Sequence, residues 1–327
     1  MNAGPEVTVF RDLESAGNRF GPCEVAIGNF DGVHIGHQEL IRRTVASASA
    51  SELVPAVLTF DPHPAAIVAP ERMPLAIVSL EERLRLLGAL GARQILVLPF
   101  TPEVARMTPE EFVRDVLVGP LRARAVFVGE NFRFGARQAG NAATLRDLGA
   151  AFGFATHFLP PVVYRGEVVS SSAIRRHLIS GNVDRAGRLL GRCFSVKRPV
   201  VHGHGIGSKQ TVPTLNVKPA PGQVLPLGVF VTETIDTGDA RRWPSITNCG
   251  VRPTFGGDEL TVETYLIAPL EGETPQHIEV QFRHFVRPER AFPDAATLKE
   301  QILRDVAKAR AYWRRAARLG RRLLRYT

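Results

Sequence analysis

Cysteine is scarce in this chain of 327 residues, and the three present (Cys23, Cys193 and Cys249) are far apart, odd in number and never in C-x-x-C spacing. That argues against a disulfide framework or a zinc cluster and fits a reducing compartment, here expected to be the cytoplasm. Long apolar runs are missing too. Residues 1–21 lack a basic stretch followed by an apolar one, so neither a membrane span nor an export signal is expected. Internal repeats and low-complexity segments are also absent.

Acidic residues are missing from one stretch. Between Lys308 and Thr327 stand eight of the 41 basic residues (Lys308, Arg310, Arg314, Arg315, Arg318, Arg321, Arg322, Arg325) and no acid, leaving 33 basic against 32 acidic elsewhere. The net charge of +9 therefore belongs mainly to a tail. A solvated basic helix face accounts for it, and no nucleic-acid partner is expected.

What is present is ordinary for a folded enzyme: 44% hydrophobic and 22% charged residues, over a length sufficient for two cores. In the first half, β-like runs at 24–30, 55–60, 94–100 and 125–129 alternate with helix-like stretches at 38–50 and 80–90. Leu80, Leu84, Leu87 and Leu90 recur there at helical spacing. This pattern predicts a Rossmann-like α/β domain with a parallel sheet. Beyond about Gly191 the runs become short and are separated by Gly and Pro: 194–202, 228–234, 262–267 and 278–282. They predict antiparallel strands closing into a barrel. A last helix follows Asp294, its N-cap, with Leu298, Ile302, Val306 and Ala309 on one face. The expected domains are 1–186 and 187–327.

The most informative string is Gly28-Asn29-Phe30-Asp31-Gly32-Val33-His34-Ile35-Gly36-His37, where a buried strand gives way to a helix. Ligands of open α/β sheets bind at the carboxyl ends of strands. His34 and His37 are three apart, so both imidazoles are expected on one side of a helix start, whose amides favour phosphate. Gly32 and Gly36 leave room for that approach. The H-x-G-H core resembles the signature of the nucleotidylyltransferases, and the longer string is similar to their FAD synthetase branch.

That resemblance extends to three further segments and implies roles for them. Thr59-Phe60-Asp61-Pro62-His63-Pro64 resembles a T-F-x-P-H-P segment, which implies flavin contacts for Phe60, Pro62, His63 and Pro64. Val128-Gly129-Glu130-Asn131-Phe132-Arg133-Phe134-Gly135 resembles V-G-x-[DN]-F-x-F-G, with Asn131 at the nucleotide. Ser170-Ser171-Ser172-Ala173-Ile174-Arg175 resembles S-S-T-x-I-R, whose hydroxyls and arginine hold phosphates; Ser172 stands in place of the usual threonine. With Gly28, Phe30, Asp31, Gly32 and Gly36 these residues are expected to hold ATP. His34, His37 and Arg175 would stabilise charge as the FMN phosphate attacks the α-phosphorus.

In the second half, Pro213-Thr214-Leu215-Asn216 follows Gly203-His204-Gly205-Ile206-Gly207. In a strand, Thr214 and Asn216 project to one face, where a hydroxyl and an amide oxygen could share Mg²⁺. This resembles the P-T-A-N motif of riboflavin kinases, which are six-stranded barrels, and implies that Gly203 and Gly207 line ATP. Leu215 replaces the family's alanine, and Thr211 stands where its G-R-x-L-G segment ends in glycine. Asn248-Cys249-Gly250-Val251-Arg252-Pro253-Thr254-Phe255 resembles N-x-G-x-R-P-T-F, and Val262-Glu263-Thr264 matches the segment of the catalytic glutamate. Arg287-Pro288-Glu289-Arg290-Ala291-Phe292 resembles R-x-E-x-x-F. Arg252 and Arg287 are thereby expected at the flavin, and Glu263 as the base that accepts a proton from the ribityl hydroxyl.

The chain is thus identified as a member of the bifunctional riboflavin kinase/FMN adenylyltransferase family. Riboflavin, FMN, FAD and ATP are the expected substrates and products, Mg²⁺ the cofactor, and self-association stays open. The alternative is an FMN adenylyltransferase whose barrel only binds flavin or regulates.

Overall fold

A computed structural model describes residues 7–201, 214–254 and 257–318 of the chain. Two units separate, Met1–Ser170 and Ser171–Thr327.

The first unit runs β1 (Thr8–Phe10), α1 (Leu13–Ala16), β2 (Cys23–Ile27), α2 (Ile35–Ala50), β3 (Val54–Asp61), α3 (Ala65–Val68), α4 (Leu80–Ala89) and β4 (Gln94–Pro99). It continues with α5 (Pro102–Arg106), α6 (Pro109–Phe112), β5 (Ala123–Gly129), α7 (Ala142–Phe152), β6 (Ala155–Leu159) and the hairpin β7 (Val163–Tyr164) with β8 (Glu167–Val168). Six strands form one sheet in the order β1-β4-β3-β2-β5-β6, every pair parallel. Alternation along each strand sends Val25, Ile27, Leu58, Leu96 and Val126 into one core layer. Ala26, Val57, Ile95, Val97 and Phe127 enter the other, under Leu40 and Ile41 of α2 and Leu87 of α4. Strands buried on both faces read as unbroken apolar runs. From β2 the chain winds outward to β3 and β4, then crosses to β5 on the other side, so the carboxyl ends of β2 and β5 flank the switch point where such sheets bind ligands.

The second unit begins with α8 (Ser171–Ile179) and α9 (Val183–Leu190). Then come β9 (Ser195–Val201), β10 (Thr214–Val217), β11 (Gly228–Asp236), β12 (Arg242–Thr254), β13 (Gly257–Leu266), β14 (His277–Arg287) and α10 (Ala295–Arg318). The six strands close into an antiparallel barrel, β10-β13-β12-β11-β14-β9. Val229, Val231 and Ile246 on its outer wall pack against Val306 and Ala309 of α10. Asp294 caps that helix, its Oδ1 accepting Thr297 N at 2.7 Å. The alternate residues face the bore, where Phe194, Phe230 and Phe282 meet a ladder of hydroxyls. Thr232 bonds Ser245 at 2.8 Å and Thr247 at 2.7 Å, Thr234 bonds Ser245 at 2.8 Å, and Thr247 bonds Thr264. Mutual pairing removes the cost of burying these groups.

One ion pair of this unit is almost wholly enclosed. Arg283 Nη2 lies 2.5 Å from Glu233 Oε2, with the side chains only 4% and 3% exposed. Arg283 also donates to Gln281 Oε1 at 2.9 Å and to Cys193 Sγ at 3.0 Å. Burial raises the Cys193 thiol to about 11 and the Cys23 thiol to about 12, so neither supplies a thiolate at neutral pH.

Candidate active sites

The loop after β2 is built under constraint. Phe30, Gly32 and Val33 have φ of 51°, 81° and 41°, and for the β-branched Val33 that conformation is an outlier which costs about 1–3 kcal/mol. Buried partners hold it. The Asp31 carboxylate accepts Ile77 N at 3.0 and 3.1 Å and Val78 N at 3.4 Å, fastening the loop to the segment before α4. Phe30 is fully buried, edge-on to His37 with ring centroids 5.1 Å apart. Gly28 N continues the sheet by donating to Leu58 O at 3.1 Å.

The two histidines meet, in a way the spacing only half describes. His34 is the N-cap of α2, in an extended conformation, and its Nδ1 accepts His37 N at 3.2 Å. An accepting Nδ1 leaves the proton of the neutral ring on Nε2. The imidazoles are stacked, with centroids 3.5 Å apart and planes 14° apart. Gly36 permits this, because a Cβ there would come within 3.2 Å of His34 Cε1 and Nδ1. Burial, then His34, then the Arg83 guanidinium hold His37 well below the ordinary imidazole value, so it is neutral at neutral pH. His37 Nδ1 is buried with no hydrogen-bond partner among the described residues. A stacked imidazole pair with one nitrogen unused, at a helix start, suits an anionic ligand.

The end of β3 adjoins this loop. Thr59 Oγ1 donates to Asn29 O at 3.2 Å, and the Asn29 amide lies 3.2 Å from His63 Nε2, whose Nδ1 accepts Ala65 N at 3.1 Å. Phe60 is a core side chain set edge-on to Phe100; His63 and Pro64 are half-buried, and Pro62 is exposed. Asn131 is exposed just past the end of β5, beside the same switch point. Ser170 closes the first unit, whereas Ser171, Ser172 and Arg175 stand in the first turns of α8 in the second.

Sequence reading passed over Arg83. Its guanidinium, in a side chain 10% exposed, donates from Nη1 to Asn29 O at 2.7 Å and, more weakly at 3.4 Å, to Thr59 Oγ1 and Phe60 O. Its Nη2 is 3.9 Å from Asp61 Oδ1. The available signal was its place on α4: Leu80, Arg83, Leu84 and Leu87 share one face, so a charge sits within an apolar stripe.

The second site lies on the outer wall of the barrel. Asn216 pairs with Glu263 and Thr214 with Tyr265 across β10 and β13, while Asn248 of β12 pairs with Glu263 from the other side. Directly opposed residues share a face, so Thr214, Asn216, Asn248, Glu263 and Tyr265 all project together. A cavity of about 250 Å³ opens there beneath α10, with Asn248, Glu263 and Tyr265 on the barrel side. Arg287, Glu289, Arg290 and Phe292 line it from the chain entering the helix, and Leu298, Ile302 and Asp305 from the helix itself. Asp305 accepts Arg287 Nε at 2.8 Å and Gln301 Nε2 at 2.8 Å, and Arg290 donates to Gln301. Both guanidinium groups lie over the Phe292 ring, at 5.7 Å and 4.8 Å. Burial, then the Glu263 carboxylate, raises Tyr265 above the usual phenol range, while its contact with the Thr214 hydroxyl opposes them. A Cβ at Gly250 would lie 1.9 Å from Glu289 Oε1, so a larger residue there would displace the Glu289 side chain from the cavity wall.

Comparison with known proteins matches both units. Residues 18–173 match the FAD synthetase family model and residues 190–313 the riboflavin kinase model. A bifunctional riboflavin kinase/FMN adenylyltransferase of Escherichia coli K12 is 34% identical over 89% of this chain and 93% of its own length. The namesake of Haemophilus influenzae is 30% identical over 93% and 99%. The chain belongs to the bifunctional riboflavin kinase/FMN adenylyltransferase family. Matches to both models favour two activities over a barrel that only binds. A crystal structure described as a macrolide-efflux protein from Streptococcus pneumoniae is also similar, at 26% identity and a TM-score of 0.82, covering 93% of this chain and 98% of that one. No helix among the described residues is long and apolar enough to cross a membrane.

Some family positions fall outside the described residues, namely Gly203, Gly207 and 208–211, as does the Arg252 side chain. Leu215, where the riboflavin kinases carry alanine, is buried on the bore side of β10, opposite the face that carries Thr214 and Asn216.

Proposed function

We propose that the chain phosphorylates riboflavin to FMN on its barrel and adenylylates FMN to FAD on its α/β unit, using ATP in both reactions. The observation that carries the kinase reading is the placement of Glu263 directly across from Asn216 on the wall of a cavity. Glu263 takes the proton of the ribityl hydroxyl as that oxygen bonds the γ-phosphorus of ATP and ADP departs. Among the described residues no group of three or more His, Cys, Asp or Glu side chains could hold a metal ion. The oxygens of Thr214 and Asn216 suit Mg²⁺, which keeps few protein ligands and binds chiefly to substrate phosphates. Held there, the ion would supply neutralisation of phosphate charge. Tyr265, kept protonated, can direct its hydroxyl at an oxygen ligand, and Arg287, fixed by Asp305, borders the flavin.

For adenylyl transfer, an FMN phosphate oxygen bonds the α-phosphorus of ATP and the bond to pyrophosphate breaks. His34 offers its Nε2 proton to the phosphates, and His37 stays neutral beside it. Gly28, Gly32 and Gly36 keep the loop close to the nucleotide, and Asn131 reaches it from the end of β5. The roles of Ser170, Ser171, Ser172 and Arg175 rest on their motif. Purified protein given riboflavin, ATP and Mg²⁺ is expected to yield FMN and then FAD by chromatography; no FMN from riboflavin, or no FAD from FMN, removes the corresponding half of the proposal.

A further inference from the structure

Arg83 is a buried cation in a position that the apolar stripe of α4 would fill with leucine. Enclosing a guanidinium is costly unless its donors are matched. Here Nη1 is matched to main-chain oxygens at the strand ends and Nη2 faces Asp61, while Nε is buried with no hydrogen-bond partner among the described residues. The pairing of β2 with β3 ends at Ile27 and Leu58, with Gly28 N bonding Leu58 O, so Asn29 O and Phe60 O just beyond it need donors from elsewhere. Arg83 Nη1 reaches both, at 2.7 and 3.4 Å, together with Thr59 Oγ1. Asn29 in turn touches His63 and begins the strained turn that ends at His34. One side chain thus joins the phosphate loop to the T-F-D-P-H-P segment.

We propose that Arg83 is a positioning residue for adenylyl transfer, its guanidinium clamping the loop that follows β2 to the end of β3. The inference rests on the adenylyltransferase reading of this unit. A second effect supports it: the fixed charge of Arg83 adds to burial and His34 in keeping His37 unprotonated. The carboxylates of Asp31, Asp61 and Glu81 act on Arg83 from the loop, the end of β3 and the first turn of α4.

The experiment compares the full-length chain with Arg83→Met and Arg83→Lys, measuring FAD formation from FMN across pH and FMN formation from riboflavin as an internal control. Both variants are expected to lose about 10- to 100-fold in FAD formation, the range that follows from losing hydrogen bonds to a charged group. FMN formation is expected to be unchanged. The pH profile separates clamping from mere folding. Removing the cation lets the His37 pKa rise, so the acid-side fall in rate moves to higher pH in Arg83→Met and stays in place in Arg83→Lys, which keeps the charge. FAD formation within threefold of the unaltered chain in both variants overturns the inference, as does a loss that tracks unfolding of this unit by circular dichroism or protease sensitivity. If the unaltered chain makes no FAD, the activity itself fails and the inference with it; a normal unaltered chain with indifferent variants sinks the inference alone.

Discussion

Replacing Glu233 by glutamine tests whether the enclosed ion pair supports the barrel. The substitution keeps shape and an acceptor oxygen but leaves the Arg283 charge, 4% exposed, without its carboxylate at 2.5 Å, while the neutral Gln281 and Cys193 contacts remain. Breaking a buried pair from one side costs about 3–5 kcal/mol, and the retained oxygen sets the expectation at the low end, about 3 kcal/mol. For a unit of this size each kcal/mol moves the midpoint by about 2–4 °C, so thermal unfolding should come roughly 6–12 °C earlier. The assay is residual riboflavin phosphorylation after stepwise heating, alongside a calorimetric trace. Glu233→Met combined with Arg283→Met should recover most of the loss, since an apolar pair of similar volume avoids desolvating either charge. A Glu233→Gln protein melting within 1 °C of the unaltered chain, or a double variant less stable than the single one, refutes the reasoning.

Three other outcomes are expected. Glu263→Gln should lower FMN formation about 10²- to 10⁴-fold while FAD formation from supplied FMN continues, which chromatography of the two reactions will show. Gly36→Ala should push the His34 ring off His37 and slow FAD formation at least about tenfold with little change in the melting curve, because the intruding Cβ meets the ring at 3.2 Å. His284, whose pKa is raised by its hydrogen bond to Asp184, contributes stability that is complete below about pH 6.5 and fades as pH rises through the higher folded-state value. With His284 54% exposed the effect is under about 1 kcal/mol, and the pH dependence of urea midpoints should flatten in His284→Ala by no more than that.

The parallel sheet was legible because its strands are enclosed on both sides, so Cys23–Ile27 and Gln94–Pro99 are largely apolar, with Glu24 and Gln94 the polar exceptions. The longest barrel strand was not. Arg242–Thr254 contains Pro244, Gly250 and Pro253, which read as breaks, yet Pro244 needs only its carbonyl, accepting Ile267 N at 2.9 Å. Spacing brought His34 and His37 together correctly but placed both on the helix, whereas His34 precedes it as the cap. A capping histidine has no periodic signature of its own. The outer-wall cluster could be anticipated as far as period two allows, pairing Thr214 with Asn216. Bringing Glu263 opposite Asn216 required strand register, which no local pattern specifies. Arg83 was hidden for a related reason: its partners are main-chain oxygens some 23 and 54 positions away in sequence.

The threonines and serines inside the barrel carry a consequence for the chemistry outside it. Were β12 or β13 to slide by a single position, Asn248 and the Glu263 carboxylate would turn inward among phenylalanines, and Thr247 and Thr264 would be cast out of their mutual bonds. Such a frame error would strand an ionised group in a dry interior and unmake several hydroxyl pairs at once, so misaligned hairpins are strongly disfavoured. Fidelity of the proposed proton acceptor's location is thereby enforced from the opposite side of the wall, by atoms that never meet a substrate.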